Sequence, residues 1–364
     1  MKSLEATYPK TQPIEEMHWG EVEGRAISLY KLANSNGSKL FVTNYGATIQ
    51  SLYVRDKSGK LEDVVLGYDT LEEYVNDSYY FGCVVGRYAN RIAGGTVKLY
   101  DKEYKLHTRE GGYHLHGGSV GFNKKVWSAE TVERETACGI RLSYLSIDGE
   151  EGFPGNVRTT VTYWLTELNQ VMVEYTATTD QTTLINLTQH SYFNLAGHYA
   201  GTILDHKLQI HSPWYLPVNS MQVPKGEIAD VAGTPFDFQK PKNIGVDIEQ
   251  TNPQLYLSGG YDHSWVLEQQ HTPIAKHAAT VTDAVSGRVL DVYTTEPAVH
   301  FYSANFIEEG TKGKKGAVYN RRTSFCLETQ HFPDAPNHSH FPSTVLEAGE
   351  EFYSKTVFEF SVVL

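Results

Sequence analysis

The chain has 364 residues, with 31 Lys and Arg against 43 Asp and Glu, and its formal charge of −12 argues against binding nucleic acid or an anionic membrane. Hydrophobic residues make up 40% and charged residues 20%, which excludes disordered and fibrous classes, and no apolar run approaches the roughly 18 residues of a membrane span. Three widely spaced cysteines, Cys83, Cys138 and Cys326, imply neither a disulfide framework nor a zinc motif, and with no apolar leader in residues 1–16 they predict a soluble cytoplasmic protein.

Short segments of alternating character come first and recur to the end. Ala26–Lys31, Lys39–Tyr45, Thr48–Val54, Asn156–Thr166, Gln170–Thr178, Val289–Thr295 and Phe352–Val362 are rich in Val, Thr, Tyr and Phe, the pattern of strands with one buried face. Turn residues at Lys57–Lys60, Ile147–Glu150 and Asp283–Gly287 predict antiparallel hairpins. Helical periodicity is confined to a turn or two at Thr70–Val75 and Val246–Gln250, which argues against an α/β sheet with crossover helices. No linker, charge run or fixed-period repeat divides the chain, and residues 1–364 are expected to form one domain. Ser212–Thr251, with several Pro and Gly residues, is expected to run over the surface.

Polar residues in otherwise apolar, strand-like surroundings carry the chemical information, because a buried polar group is costly unless paired or used. In Leu187–Leu195 a period of two sets Thr188, His190, Tyr192 and Asn194 against Leu187, Phe193 and Leu195, so His190 is either a satisfied structural histidine or part of a polar surface. In Ser324–His331, Cys326 and Glu328 alternate with Phe325 and Leu327. Glu328 is then either an exposed strand residue or a carboxyl with a raised pKa. Asp262 follows the double glycine Gly259-Gly260, as a turn cap or as an acceptor for a ligand hydroxyl. His114 and His116 share a strand face and, with His190 and Glu328, offer a weak signal for a metal cluster. The P-loop and G-x-G-x-x-G patterns are absent.

Several motifs occur together and in order: Asn44–Thr48, Asp63–Gly67, Gly86–Gly95 (GRYANRIAGG), Leu115–Gly118 (LHGG), Asp148–Gly155 (DGEEGFPG), Gln189–Leu195 (QHSYFNL), Gly233–Phe238 (GTPFDF), Gly259–His263 (GGYDH) and Cys326–Asp334 (CLETQHFPD). From Asn44 to Ser361 the chain closely resembles the aldose 1-epimerase (galactose mutarotase) family. The resemblance implies an all-β fold, a large antiparallel β-sandwich of the supersandwich type with very little helix. It implies an isomerase without cofactor or metal, acting on a small sugar such as galactose or glucose, as a monomer or homodimer. It places Glu328 at the general base and His190 at the general acid, on opposite sides of the C1–O5 unit, with Asn90, Arg91, His116 and Asp262 at sugar-contacting positions. His300, in Val299–Phe306, stands where relatives commonly have Gln, which bears on one hydroxyl contact.

The chemistry suits these residue types. Opening a hemiacetal takes a proton from the C1 hydroxyl and gives one to the ring oxygen, and carboxyl and imidazole groups are the side chains most easily tuned to do so near neutrality. Desolvation is expected to raise the pKa of Glu328, and a nearby carboxylate to favour protonated His190. Three alternatives remain at this level: a glycoside hydrolase using Asp262 and Glu328, a non-catalytic sugar binder, and a hexose-phosphate enzyme with Arg87 and Arg91 on the phosphate.

Overall fold

The computed structural model describes residues 13–267 and 273–363. Its strands pair almost entirely antiparallel, in a nine-stranded sheet, two five-stranded sheets and several two-stranded ribbons. The nine-stranded sheet runs in the order Ser128–Arg134, Ala137–Ser146, Val157–Thr166, Gln170–Thr179, Glu351–Val362, Arg288–Thr294, Lys276–Thr282, Lys207–Ile210, Lys242–Asn243. The last long strand of the chain is thus inserted between two earlier ones, tying the end of the sequence into the middle of the sheet.

Alternation explains the packing. Along Gln170–Thr179, Val171, Val173, Tyr175 and Ala177 are buried, while Gln170, Met172, Glu174 and Thr176 are only half-buried. Their buried face meets Leu32, Leu40, Val42 and Leu52 of the first five-stranded sheet and Trp265, Phe301 and Leu327 of the other in one apolar core. Each such aliphatic or aromatic side chain contributes about 1.5–3 kcal/mol of burial. The three expected turns each join strands that pair antiparallel: Thr48–Arg55 with Leu61–Asp63, Ala137–Ser146 with Val157–Thr166, and Lys276–Thr282 with Arg288–Thr294.

Three expectations are revised. Thr70 does cap a helix, Leu71–Val75, through a reciprocal bond with Glu73, but Val246–Gln250 is only a run of turns. The neighbouring helix is Pro253–Ser258, started by the Asn252 side chain accepting from Gln254 N–H, with proline at a position where its missing donor costs nothing. Ser212–Thr251 is not a surface excursion: Leu216, Val231, Phe236, Phe238 and Ile244 are buried, Trp214–Tyr215 joins the second five-stranded sheet, and Lys242–Asn243 joins the nine-stranded one. Around His190 only Thr188–Gln189 is strand, paired with Val84–Val85, although Leu187, Phe193 and Leu195 enter the core as the alternation requires.

Candidate active site

One wall of the site is the antiparallel trio Asp262–Val266, Ala298–Tyr302 and Cys326–Gln330. Ser264, His300 and Glu328 lie opposite one another across the three strands, as do Asp262, Tyr302 and Cys326. Residues paired across strands, and residues two apart, share a face. All six therefore project from one side, while Trp265, Phe301 and Leu327 fill the core on the other. The opposite wall is irregular backbone. Tyr113–Leu115 pairs with Arg91–Ala93, bringing His116 beside Asn90 and Arg91. Gly117 makes that approach feasible: its φ is +83°, and a Cβ there would stand 1.8 Å from the Gly86 carbonyl oxygen.

The walls enclose an open cleft of about 340 Å³. All seven residues singled out in the sequence, Asn90, Arg91, His116, His190, Asp262, His300 and Glu328, line it. His190 Nε2 and Glu328 Oε2 are 3.5 Å apart, and Oε2 has no hydrogen-bond partner among the described residues. The two groups therefore stand side by side on one part of the wall. That spacing serves two oxygens bonded to a single carbon.

Burial dominates the electrostatics of this pair. Desolvation, reinforced by the charge of Asp262 and only partly offset by Arg91, pushes the Glu328 carboxyl well above its usual range. Desolvation also pulls His190 down to about 4, against the opposing pull of its own backbone carbonyl and of Asp262. The neighbouring carboxylate of Asp262 does favour protonated His190, but removal from water outweighs that charge pairing. Burial therefore favours the neutral form of each group.

Asp262 behaves differently. Burial would raise its pKa, but the His300 Nε2–H bond of 2.7 Å and the Arg91 guanidinium at 3.6 Å hold it down at about 2. It begins a strand rather than capping a turn; Gly259, at φ +64°, ends the preceding helix instead. His300 is set behind it, donating to Asp262 from Nε2 while Ser264 Oγ lies 2.8 Å from Nδ1. Arg91 also donates to Gln222 Oε1.

His116, His190 and Glu328 are metal-ligand types whose ligand atoms fall within 4.8 Å of one another. The donor set does not suit a metal. The Asn90 backbone N–H donates to His116 Nδ1 at 3.2 Å, so the neutral ring carries its proton on Nε2, which leaves a hydrogen-bond donor facing the cleft. His114 leaves the cluster altogether, its Nδ1 2.7 Å from the His107 carbonyl oxygen and its ring against Phe153. Arg87 is likewise unavailable to a phosphate: buried, it donates to Ser146 Oγ and to the carbonyls of Ile147, Pro154 and Gly155.

Other residues join the site. Tyr302 and Cys326 were legible as neighbours two positions from His300 and Glu328 on the same strand faces. Tyr80 stacks 6.0 Å from the His190 ring, and half-exposed Phe306 stacks on Tyr302 at the mouth. Tyr113, at the start of the strand that carries His114, lines the cleft as well, and Arg109 and Gln222 do so from segments without a sequence pattern that announces them.

Comparisons with known proteins agree with this architecture. The family model described as aldose 1-epimerase matches residues 28–359. Galactose mutarotase of Bos taurus is 44% identical over 328 residues, covering 90% of this chain and 92% of that one. The crystal structure of an aldose epimerase homologue from C. elegans superimposes with a TM-score of 0.82 at 31% identity, over 93% of this chain and all of that one. Galactose 1-epimerase from Lactobacillus acidophilus gives a TM-score of 0.85 at 27% identity, over 97% and 99% of the two chains.

Proposed function

The chain belongs to the aldose 1-epimerase family and is a mutarotase, and from that premise we propose that Glu328 and His190 carry the proton transfers that interconvert the α and β anomers of free aldoses such as galactose and glucose. The observation that carries this reading is the Glu328–His190 pair, 3.5 Å apart, with a carboxyl oxygen left unpartnered in a buried wall of the cleft.

The reaction needs one base and one acid, and a carboxyl and an imidazole 3.5 Å apart can serve as that pair. Glu328 as carboxylate takes the C1 hydroxyl proton while imidazolium His190 gives the Nε2 proton to the ring oxygen. The C1–O5 bond breaks, and the sugar opens to its aldehyde. Rotation about C1–C2 presents the other carbonyl face, O5 attacks, and both protons return. A sugar hydroxyl that donates to Glu328 Oε2 stabilises the carboxylate form that the reaction uses. Asp262, ionised, favours keeping a proton on both members of the pair. Each positioned proton-transfer group contributes about 10²–10⁴ in rate.

The remaining groups hold hydroxyls remote from C1 while C1 turns. His116 Nε2–H and Arg91 donate, Asp262 accepts, and Asn90 can do both. A single domain is supported by one core running from Tyr30 to Phe360. No helix among the described residues is long and apolar enough to cross a membrane, and three buried free cysteines support a cytoplasmic place of action.

Polarimetry of freshly dissolved α-D-galactose and α-D-glucose tests the proposal. Saturable acceleration of the optical decay, with no aglycone released from aryl galactosides, is expected. A decay at the spontaneous rate, or release of aglycone, overturns it.

A further inference from the structure

His190 is held by more than its acidic neighbour. Cys326 and Glu328 lie two residues apart on one strand, so their side chains leave the same face roughly 6.5 Å apart. The imidazole spans that interval, with Nε2 3.5 Å from Glu328 Oε2 and Nδ1 3.6 Å from Cys326 Sγ. Tyr192 stacks on the ring at 5.1 Å and 24°, Tyr80 lies near-parallel at 6.0 Å, and the His116 ring meets it edge-on at 5.3 Å. Stacking fixes the ring plane but does not distinguish its two orientations within that plane. The sulfur does, because a half-turn of the ring would put a carbon where Nδ1 now meets it.

We propose that Cys326 is a positioning residue whose sulfur accepts the His190 Nδ1 proton, keeping that proton in place throughout the cycle so that only the Nε2 proton is exchanged with the sugar. The proposal rests on the mutarotase reading for its kinetic consequence but not for its structural content. If Nε2 is to give up a proton and leave a neutral ring, the ring that remains must be the Nδ1–H tautomer, and something must accept that hydrogen. Two acceptors are at hand, the sulfur and the His190 carbonyl. A carboxylate in this place would orient the ring too, but its charge would stabilise the imidazolium and weaken it as an acid. A thiol orients without that penalty, since burial, with Glu328 and Asp262 nearby, pushes its ionisation well above the usual range and keeps it neutral. The other groups facing His190 are Glu328, Asp262, His300, His116, Tyr80 and Tyr192.

The test combines long-range ¹H–¹⁵N NMR of the His190 ring with kinetics of Cys326→Ala, Cys326→Ser and Cys326→Asp. The wild-type protein is expected to show a protonated Nδ1 and an unprotonated Nε2 near neutral pH. Cys326→Ala should mix the two tautomers and lower kcat by about 10-fold to 100-fold with KM little changed, the scale of a misplaced reacting group. Cys326→Ser, which keeps an acceptor and the fold, should recover both. Cys326→Asp should move the acid limb of the kcat/KM profile upward. A wild-type ring protonated on Nε2, or a Cys326→Ala protein with unchanged tautomer and kcat, overturns the proposal. So does a kcat loss that Cys326→Ser fails to recover. A wild-type protein without mutarotase activity would refute the functional reading, and the tautomer measurement would still decide the role of the thiol.

Discussion

Replacing Asp262 with Asn removes one buried charge and nearly preserves shape, so its consequences follow from electrostatics. Burial opposes ionisation of Asp262, but the His300 hydrogen bond and Arg91 lower its pKa from 3.8 to about 2. That drop corresponds to about 2 kcal/mol of stability. Because the folded-state value is the depressed one, this stability is fully present above pH 4 and disappears as the pH falls through 2. Asp262→Asn should therefore lose about 2 kcal/mol against wild type in urea unfolding at pH 7, and progressively less toward pH 2.5. The same charge raises the pKa of both Glu328 and His190, so its loss should move the acid and alkaline limbs of the mutarotation profile in one direction, toward lower pH. Sugar affinity should fall as well, through the lost acceptor. A higher KM with both limbs unmoved would refute the electrostatic part, and a stability difference independent of pH would refute the assignment of Asp262 as the ionised partner.

The wild-type rate profile itself should form a plateau, bounded below near pH 4, where His190 and Glu328 both become protonated, and above at a value well beyond the ordinary carboxylate range, where both are bare; a midpoint near 4.5 on the alkaline limb would contradict this. His300→Gln should keep an N–H for Asp262 and lose only the Ser264 contact, a cost of about 1 kcal/mol or roughly fivefold in KM, with kcat unchanged; a changed order of preference among galactose, glucose and xylose would show that His300 touches sugar directly. Lys314→Met should destabilise the protein by about 3–5 kcal/mol, since Lys314 Nζ and Asp63 Oδ2 form a buried pair at 2.6 Å, while kcat of the folded fraction stays at the wild-type value; calorimetric unfolding and polarimetry on the same sample check both halves.

Much of the sheet was readable because a period of two is enforced wherever one face packs and the other does not. Gln170–Thr179 is such a strand, and Cys326–Gln330 revealed Glu328 by the same alternation. Alternation is lost where burial comes from several sides. Ser212–Thr251 has loop-like composition, yet Phe236 and Phe238 anchor it in the core. His190 sits just past a two-residue strand whose surroundings are fixed by tertiary contacts, so its placement beside Glu328 has no local signature. The family resemblance brought the two together, while spacing alone left each ambiguous. The charge state of His190 was beyond either route, since desolvation depends on what the chain folds over it. Gln222 reaches Arg91 from a segment 131 residues away, and nothing in its own neighbourhood announces it.

Exchange spectroscopy on galactose at anomeric equilibrium, with wild-type protein and Glu328→Gln at matched concentration, tests the central claim most directly. The amide keeps the shape and cannot accept the C1 hydroxyl proton, so enzyme-dependent transfer between the two anomeric signals should fall by about 10²–10⁴ while saturable sugar binding persists. Transfer at the wild-type rate in Glu328→Gln would contradict the assignment of the base.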